Sequence, residues 1–287
     1  MLIPVVIIGA GPAGVAAAVQ LKRCGIDFLL LEKSRIGGLL HEANLVENFP
    51  GIAAGLPGKT LAARLNRQLG GAGIKIKKIE ARQLGFHDDV FVIRADKRTI
   101  MASKVILACG TAPLPPGPPL NRLPPHWRIF NSVLPLLKEK QKTIAVIGGG
   151  DAACDYALNL AKKNKVHVLV RSGKPRALPL LLDRCRRHPR ITIHENSPLT
   201  KAMAGSDGII LHTAEQKIFC QLVLTAVGRE PALHFLEPDL LAASTGLQSQ
   251  KKLFIIGDAG NGRFRQAAIA AADGLRAAME IQGGPIE

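Results

Sequence analysis

The chain has 287 residues, a formal net charge of +16 at pH 7, and 47% hydrophobic residues. One Trp, one Tyr and nine Phe are too few for the aromatic stacking surface of a single-strand-binding protein, so we expect no specific nucleic-acid site. No apolar run reaches the length of a membrane span, which predicts a cytoplasmic protein without membrane attachment. The excess of positive charge favours anionic partners, although a solvated basic surface would give the same count.

The first glycine-rich motif, Gly9-x-Gly11-x-x-Gly14, follows the apolar run from Leu2 to Ile8 and precedes an Ala-rich stretch. This order is typical of a βαβ nucleotide site, because the glycines allow a tight turn and the helix N-terminus binds a pyrophosphate. The next apolar run ends in Glu32. A carboxylate there accepts hydrogen bonds from ribose hydroxyls and repels a 2′-phosphate. The motif therefore predicts an FAD or NAD site.

The middle of the first half predicts an amphipathic helix over 59–70 and a β-meander with strands at 74–76, 90–93 and 105–108. Residues 109–119 are so rich in proline that they predict a stiff linker and a domain boundary.

A second motif, Gly148-Gly149-Gly150-Asp151, follows the apolar run 143–147. The strand after it ends in Arg171, with Lys174 and Arg176 close behind. Guanidinium groups pair with phosphate oxygens, so this motif predicts an NADP site. Charged residues also commonly end buried strands, but the opposite charges of Glu32 and Arg171 favour two different nucleotides.

Further strands are predicted near 191–193, 209–212 and 222–226, and a turn-rich crossing at 228–231. The apolar run 253–256 has no strand partners in the second unit alone. We therefore expect it to return to the first sheet, before a closing helix over 265–281. The domain segments are predicted as 1–112, 113–231 and 232–287, with the middle domain inserted into the first. The proline-rich linker and the crossing at 228–231 are expected to act as hinges between the two domains.

The five cysteines, Cys24, Cys109, Cys154, Cys185 and Cys220, form no C-x-x-C pair and no zinc pattern. We expect single, scattered, buried thiols and no metal site. Cys154 lies at the start of the second nucleotide helix, where the helix dipole lowers a thiol pKa, so a redox role for Cys154 or Cys109 stays open.

These motifs together resemble the low-molecular-weight thioredoxin reductases along essentially the whole chain. The matching segments, in the order of that family, are Gly9–Gly14, Gly37-Gly38, Val46–Gly51, Gly148–Asp151, Gly228-Arg229-x-Pro231, Gly257-Asp258 and Arg265–Ala267. The resemblance implies an α/β fold with two Rossmann-like dinucleotide-binding domains, each a three-layer ββα unit, with an NADP domain inserted into a discontinuous FAD domain. It also implies a homodimer.

Site residues follow from the motifs and the resemblance together. For FAD they are Gly9, Gly11, Pro12, Ala13, Gly14, Glu32, Gly38, Leu39, Asn48, Gly110, Gly257, Asp258, Arg265, Gln266 and Ala267. For NADP they are Gly148, Gly150, Asp151, Ala152, Arg171, Arg176, Gly228 and Arg229. By the family pattern Asp258 holds the ribityl chain, and a helix beginning at 265–267 points at the flavin pyrimidine edge, where its dipole stabilises negative charge.

Two departures from the family pattern stand out. Its C-x-x-C, counted back from Gly148, falls on Asn131-Ser132-Val133-Leu134, which contains no cysteine, so no catalytic residue is assigned. Its paired arginines appear as Arg171-Ser172, which weakens the preference for NADP over NAD.

We therefore expect an NAD(P)H-dependent FAD oxidoreductase that passes electrons to an external acceptor. An acidic ferredoxin or flavodoxin would suit the net charge of +16. The alternatives are a small-molecule flavin oxidase and a non-catalytic nucleotide sensor.

Overall fold

A computed structural model describes residues 1–53, 55–96, 98–124 and 128–283. The chain divides into two compact units. Unit 1 comprises Met1–His41, Val46–Ala112 and the chain from Glu230 onward, and unit 2 comprises Glu42–Leu45 and Pro113–Arg229. None of the described helices is both long and apolar enough to cross a membrane.

Each unit contains both strands and helices. The strands are β1 (Leu2–Ile8), β2 (Phe28–Leu31), β3 (Ile76–Lys77), β4 (Ala81–His87), β5 (Val90–Ala95), β6 (Arg98–Leu107), β7 (Thr111–Pro113), β8 (Ile129–Phe130), β9 (Thr143–Ile147), β10 (Lys165–Leu169), β11 (Ile191–His194), β12 (Lys201–Ala204), β13 (Ile209–His212), β14 (Lys217–Cys220), β15 (Leu222–Thr225), β16 (Arg229–Pro231) and β17 (Leu253–Ile255). The helices are α1 (Pro12–Arg23), α2 (Gly58–Gly71), α3 (Asp151–Ala161), α4 (Pro179–Arg187), α5 (Pro238–Ser249) and α6 (Ala267–Gln282).

Unit 1 is built on a sheet in the order β3-β2-β1-β6-β5-β4, with β17 pairing β6. Its centre is parallel, and β4, β5 and β6 form an antiparallel meander. One face buries side chains of α1 and α6, such as Leu21 and Ala278. The other face buries Leu84 and Phe91 against Leu240 of α5. The sheet thus has apolar layers on both sides, as expected for an α/β unit.

The return of the late strand to the first sheet is confirmed, because β17 pairs with β6 in parallel register from Leu253 opposite Val105. The helix predicted over 59–70 forms as α2. Strand β4 was not predicted, because its run of apolar residues is interrupted by polar residues and Gly85. Its pairing is decided by β5, where Leu84 lies opposite Ile93. The segment predicted as a stiff linker contains β7, which pairs with β16.

Unit 2 contains a parallel sheet in the order β11-β10-β9-β15-β8 and an antiparallel sheet β12-β13-β14. Apolar side chains of α3 and α4 pack on one face of the parallel sheet, and the β12–β14 layer covers the other. The unit is therefore a three-layer ββα arrangement. Strands β12 and β14 and helices α4 and α5 were not predicted from the sequence, since each is short or weakly amphipathic.

Candidate functional site

The first fingerprint forms the turn between β1 and α1. Gly9 has a φ of 105°, and a Cβ there would lie 2.4 Å from the carbonyl oxygen of Ala108, so only glycine fits. Gly9 N donates to Leu31 O at 2.8 Å, which fixes the turn against β2. Helix α1 begins at Pro12 with Gly11 as an extended N-cap and no side-chain cap, so the N–H groups of its first turn are left for a ligand.

Glu32 lies directly after β2 and faces this turn. Its Oε2 accepts a hydrogen bond from Ala10 N at 2.8 Å, and its Oε1 accepts one from Ser34 N at 2.7 Å. An ionised carboxylate has about four acceptor positions, so two remain for ribose hydroxyls. A cavity of about 490 Å³ opens beside Glu32, and Arg35, Lys59 and Lys78 also line it. The remaining acceptor positions of Glu32 are available to hydroxyl groups, and the cavity beside it is lined by basic side chains.

The remaining predicted FAD residues converge on the same end of the sheet in unit 1. Gly37 N donates to Ala10 O at 2.7 Å, and Gly38 lies beside Gly11. Gly38 begins a 3₁₀ turn, Gly38–His41, that includes Leu39. A second 3₁₀ turn, Gly257–Ala259, carries Asp258, and Gly257 packs against Ala13 of α1. Gly110 lies just beyond β6, the neighbour of β1.

Helix α6 completes this arrangement. It begins at Ala267 with Gln266 as an extended N-cap, close to the start predicted for the closing helix. Gln266 Oε1 accepts a hydrogen bond from Asn48 Nδ2 at 3.0 Å, so two predicted residues that are 218 positions apart meet. Arg265 immediately precedes them. No side-chain hydrogen bond caps the first turn of α6.

The second fingerprint has equivalent geometry in unit 2. Gly148 has a φ of 149°, and a Cβ there would lie 2.4 Å from the carbonyl oxygen of Ala226. Gly148 N donates to Leu169 O at 3.0 Å, and α3 begins at Asp151 with Gly150 as its N-cap and Ala152 in its first turn. The two glycine-rich motifs therefore form turns of equivalent geometry.

The basic loop after β10 is tied to this fingerprint. Arg176 N and Ala177 N donate to Gly149 O at 2.7 and 3.0 Å, and Leu178 N donates to Asp151 Oδ1 at 2.7 Å. These bonds fold the loop that carries Arg171 and Arg176 over the start of α3. Gly228 and Arg229 lie farther along the chain, after β15, and Arg229 Nη1 is 3.9 Å from Glu42 Oε2.

A buried polar cluster includes Ser132, in the segment Asn131–Leu134 where the resemblance led us to expect a C-x-x-C. Ser132 Oγ donates to Glu42 Oε1 at 2.8 Å, and Tyr156 OH donates to Glu42 Oε2 at 2.7 Å. Glu42 is 8% exposed. Burial, followed by the charge of Glu42, raises the pKa of Tyr156 well above its ordinary value, so the phenol keeps its proton.

Glu42 and Tyr156 were not predicted as part of any site. No motif surrounds Glu42, and its partners lie 90 and 114 positions away, so only the folded chain brings them together. This cluster also explains why Glu42–Leu45 groups with unit 2, although the sequence prediction placed these residues in the first domain. Asn44 adds to the attachment, since its N–H donates to Asp155 Oδ2 at 2.7 Å.

The prediction of single, scattered thiols is wrong for one pair. Cys154 and Cys185 are both buried, and Cys185 Sγ lies 3.5 Å from the carbonyl oxygen of Cys154. Cys109 differs from them, because burial raises its pKa to about 11 and disfavours a thiolate. Among the residues that the structure describes, no group of three or more His, Cys, Asp or Glu side chains is placed to bind a metal.

Comparison with known proteins gives a consistent result. A family model described as pyridine nucleotide-disulphide oxidoreductase matches residues 3–274. The chain is 30% identical over 295 residues to a thioredoxin reductase of Treponema pallidum, covering 96% of this chain and 94% of that protein. It is 28% identical over 307 residues to the NADPH-dependent thioredoxin reductase 3 of Arabidopsis thaliana, of which it spans 57%.

Solved structures are similar at the level of fold. The Lactococcus lactis thioredoxin reductase in its FR conformation superposes with a TM-score of 0.85 at 23% identity, covering 97% of each chain. The T. acidophilum thioredoxin reductase gives 0.82 at 23% identity, with 99% of this chain and 98% of that chain covered. The predicted fold class, α/β with two Rossmann-like units of the FAD/NADP type, is confirmed.

Proposed function

The chain belongs to the pyridine nucleotide-disulphide oxidoreductase family, and from that premise we propose that it passes electrons from NADPH through FAD to an acceptor outside the chain. It is an FAD-dependent NAD(P)H oxidoreductase of the thioredoxin reductase-like type, with FAD and NADP as cofactors.

We propose residues 1–112 and 232–287 as the FAD domain. There the Gly9–Gly14 turn and the N-terminus of α1 would bind the pyrophosphate, and Glu32 would accept hydrogen bonds from the adenosine ribose. Asp258 would hold the ribityl hydroxyls. The N-terminus of α6 would face the pyrimidine edge of the flavin and stabilise negative charge there. FAD, when bound, supplies the ring that accepts hydride at N5 from nicotinamide C4.

We propose residues 113–231 as the NADP domain. The Gly148 turn and the first N–H groups of α3 would bind the pyrophosphate, and Arg171 and Arg176 would pair with the 2′-phosphate. The loop that carries both arginines is held at Arg176 and Ala177 by two hydrogen bonds to Gly149 O, so the backbone of Arg176 is fixed relative to the fingerprint. This preorganisation supports a preference for NADPH over NADH.

One observation carries the proposal of an external acceptor. In the segment Asn131–Leu134 the hydroxyl of Ser132 donates a hydrogen bond to the buried carboxylate of Glu42. The segment contains no thiol. An internal relay from flavin to thioredoxin needs two neighbouring thiols that attack and release a disulfide in turn. Amide, hydroxyl and alkyl groups cannot do this chemistry. We therefore propose that electrons leave the flavin directly to another molecule, without a dithiol relay at this position.

The charge of the chain suggests what that molecule is. A net charge of +16 raises the association rate with an acidic electron carrier such as ferredoxin or flavodoxin, and salt lowers this rate. Basic residues concentrate in short runs, among them Lys138–Lys142 and Arg184–Arg190. We accordingly propose an acidic one-electron carrier protein as the partner, and a cytoplasmic homodimer as the working form.

The test is NADPH-driven reduction of thioredoxin, ferredoxin and flavodoxin by the same FAD-loaded preparation, at low and high salt. A dithiol-containing thioredoxin reductase serves as the positive control for the thioredoxin assay. We expect carrier reduction that falls with salt and no thioredoxin turnover. Robust thioredoxin turnover refutes the external-acceptor proposal. Flavin that NADPH does not reduce under anaerobic conditions would instead indicate a nucleotide sensor.

A further inference from the structure

Two buried thiols from different helices meet in the core of unit 2. Cys154 lies in α3 and is 1% exposed, and Cys185 lies in α4 and is fully buried. The Cys185 thiol points back at α3, with its Sγ 3.5 Å from the carbonyl oxygen of Cys154. The two thiol groups are close enough for each to change the pKa of the other. Residues 31 positions apart in the chain thus form a spatial dithiol that contains no C-x-x-C.

The two thiols differ in acidity. The hydrogen bond from Cys185 lowers the pKa of Cys154, against the opposing effects of burial and of Asp151 and Asp155. Donating that hydrogen bond, together with burial, raises the pKa of Cys185. Cys154 is also the fourth residue of α3, within the first turn, where the helix dipole favours a thiolate. One thiol is therefore suited to attack an oxidant, and its neighbour to attack the product.

We propose that Cys154 and Cys185 are a covalent modification site, where a peroxide converts the two thiols into a reversible disulfide between α3 and α4. The Cys154 thiolate attacks one oxygen of hydrogen peroxide, the O–O bond breaks, and the leaving hydroxide takes up a proton as water. Cys185 sulfur then attacks the sulfenic sulfur, the S–O bond breaks, and the hydroxyl leaves with the Cys185 proton as water. Two thiols lose two electrons, and the peroxide becomes two waters.

Access to the pair depends on α4, which is weakly held. This helix has nine residues, and Cys185 is its one fully buried residue, while Leu180 is 54% exposed. Since Leu181 to Arg184 are only half-buried, we expect α4 to open locally more readily than the core strands, which would admit a small oxidant. An external dithiol reaches the disulfide by the same opening and reduces it by thiol–disulfide exchange.

The disulfide would act on the nucleotide site, an effect that rests on the proposed NADP assignment. A disulfide brings the two sulfurs to about 2.05 Å, closer than any hydrogen bond between thiols, so α4 shifts toward α3. The loop before α4 is bonded to Gly149 and Asp151, and it carries Arg171 and Arg176. Oxidation is therefore expected to weaken NADPH binding several-fold and to raise the midpoint of thermal unfolding, because the cross-link closes a loop of about 30 residues.

The experiment treats the full-length, FAD-loaded protein with hydrogen peroxide and maps its peptides by mass spectrometry without reduction. We expect a cross-linked peptide joining Cys154 to Cys185, a loss of two hydrogen masses, and full reversal by dithiothreitol. Cys154→Ala and Cys185→Ala should each abolish the cross-link. Cys220→Ala, which removes another buried thiol, should retain it.

The peptide map of the wild type decides the question even if a variant misfolds. Free thiols at both positions after the half-buried Cys24 has been oxidised, or separate sulfinic acids at Cys154 and Cys185, overturn the proposal. A cross-link that forms without any change in NADPH affinity refutes the control of the nucleotide site. Because the cross-link is read by mass alone, its failure is distinguishable from a failure of the proposed electron acceptor.

Discussion

Ser132 and Glu42 are joined by a hydrogen bond of 2.8 Å, although 90 residues separate them in the chain. Ser132 stands where the related thioredoxin reductases are expected to carry a redox cysteine pair, and its hydroxyl is directed to a carboxylate that is 8% exposed. Tyr156 donates to the same carboxylate. The position has thus become part of a polar cluster that holds the Glu42–Leu45 segment to unit 2.

We expect Tyr156→Phe to destabilise unit 2, because Glu42 loses one of its hydrogen bonds while it stays buried. A hydrogen bond to a charged group contributes about 1.5–3 kcal/mol. Urea unfolding followed by circular dichroism measures the loss. Phe219→Tyr, at an exposed site, serves as the control and should change the stability little. Phe91→Tyr would not serve, because that ring is fully buried in unit 1. Equal stability of Tyr156→Phe and wild type would show that the cluster does not stabilise the fold.

Asp258→Ala should weaken FAD retention, because the ribityl hydroxyls lose a charged acceptor worth about 1.5–3 kcal/mol. The measurement is the FAD dissociation constant of reconstituted protein, from flavin fluorescence. Asp239→Ala, an exposed aspartate of α5 in the same unit, is the matched control and should bind FAD as tightly as the wild type. If both variants retain FAD equally, Asp258 does not contact the cofactor.

Arg171→Ala should raise the KM for NADPH and leave that for NADH nearly unchanged, because only the former carries the 2′-phosphate. Anaerobic flavin reduction by each nucleotide measures both constants. Arg67→Ala removes the same charge from an exposed position of α2 and controls for the effect of the net positive charge on NADPH binding. A wild type that uses NADH as efficiently as NADPH would mean that Ser172 has removed the preference.

The stability of unit 2 should decline as the pH falls from about 6.5 to about 4. Burial, followed by the charges of His194 and Lys165, lowers the pKa of His167 from 6.5 to about 4. Since the folded pKa lies below the unfolded one, the unfolded chain binds more protons in this window, so acid favours unfolding. Above pH 6.5 the contribution of His167 is fully present.

Unfolding midpoints between pH 4 and 7 test this dependence. His167 Nδ1 and His194 Nε2 lie 2.9 Å apart, and burial also lowers the pKa of His194, so the two rings titrate together. His167→Gln should flatten the profile, whereas His234→Gln, at an exposed position in unit 1, should leave it unchanged. An unaltered profile in His167→Gln would assign the acid sensitivity to other groups.

The sequence alone determined both fingerprint turns, because their geometry is local. Gly9 and Gly148 each adopt a positive φ and each pass a neighbouring strand end with no room for a Cβ, and a short apolar strand and a helix start complete the motif. The position of Glu32 after β2 and the return of β17 to β6 also followed from strand order. In these cases the sequence signal lies within a few neighbouring residues, or in an order of strands and helices that recurs in the fold.

Only the tertiary structure decided the Glu42–Ser132–Tyr156 cluster, the pairing of Cys154 with Cys185, and the strand β4. Each depends on contacts between residues far apart in the chain, and no period of apolar residues or spacing of motifs records such a contact. Cys154 and Cys185 appear as two unrelated small residues in the sequence. They become neighbours because α4 packs its one buried side chain against α3, and that packing is decided by the core of unit 2 as a whole.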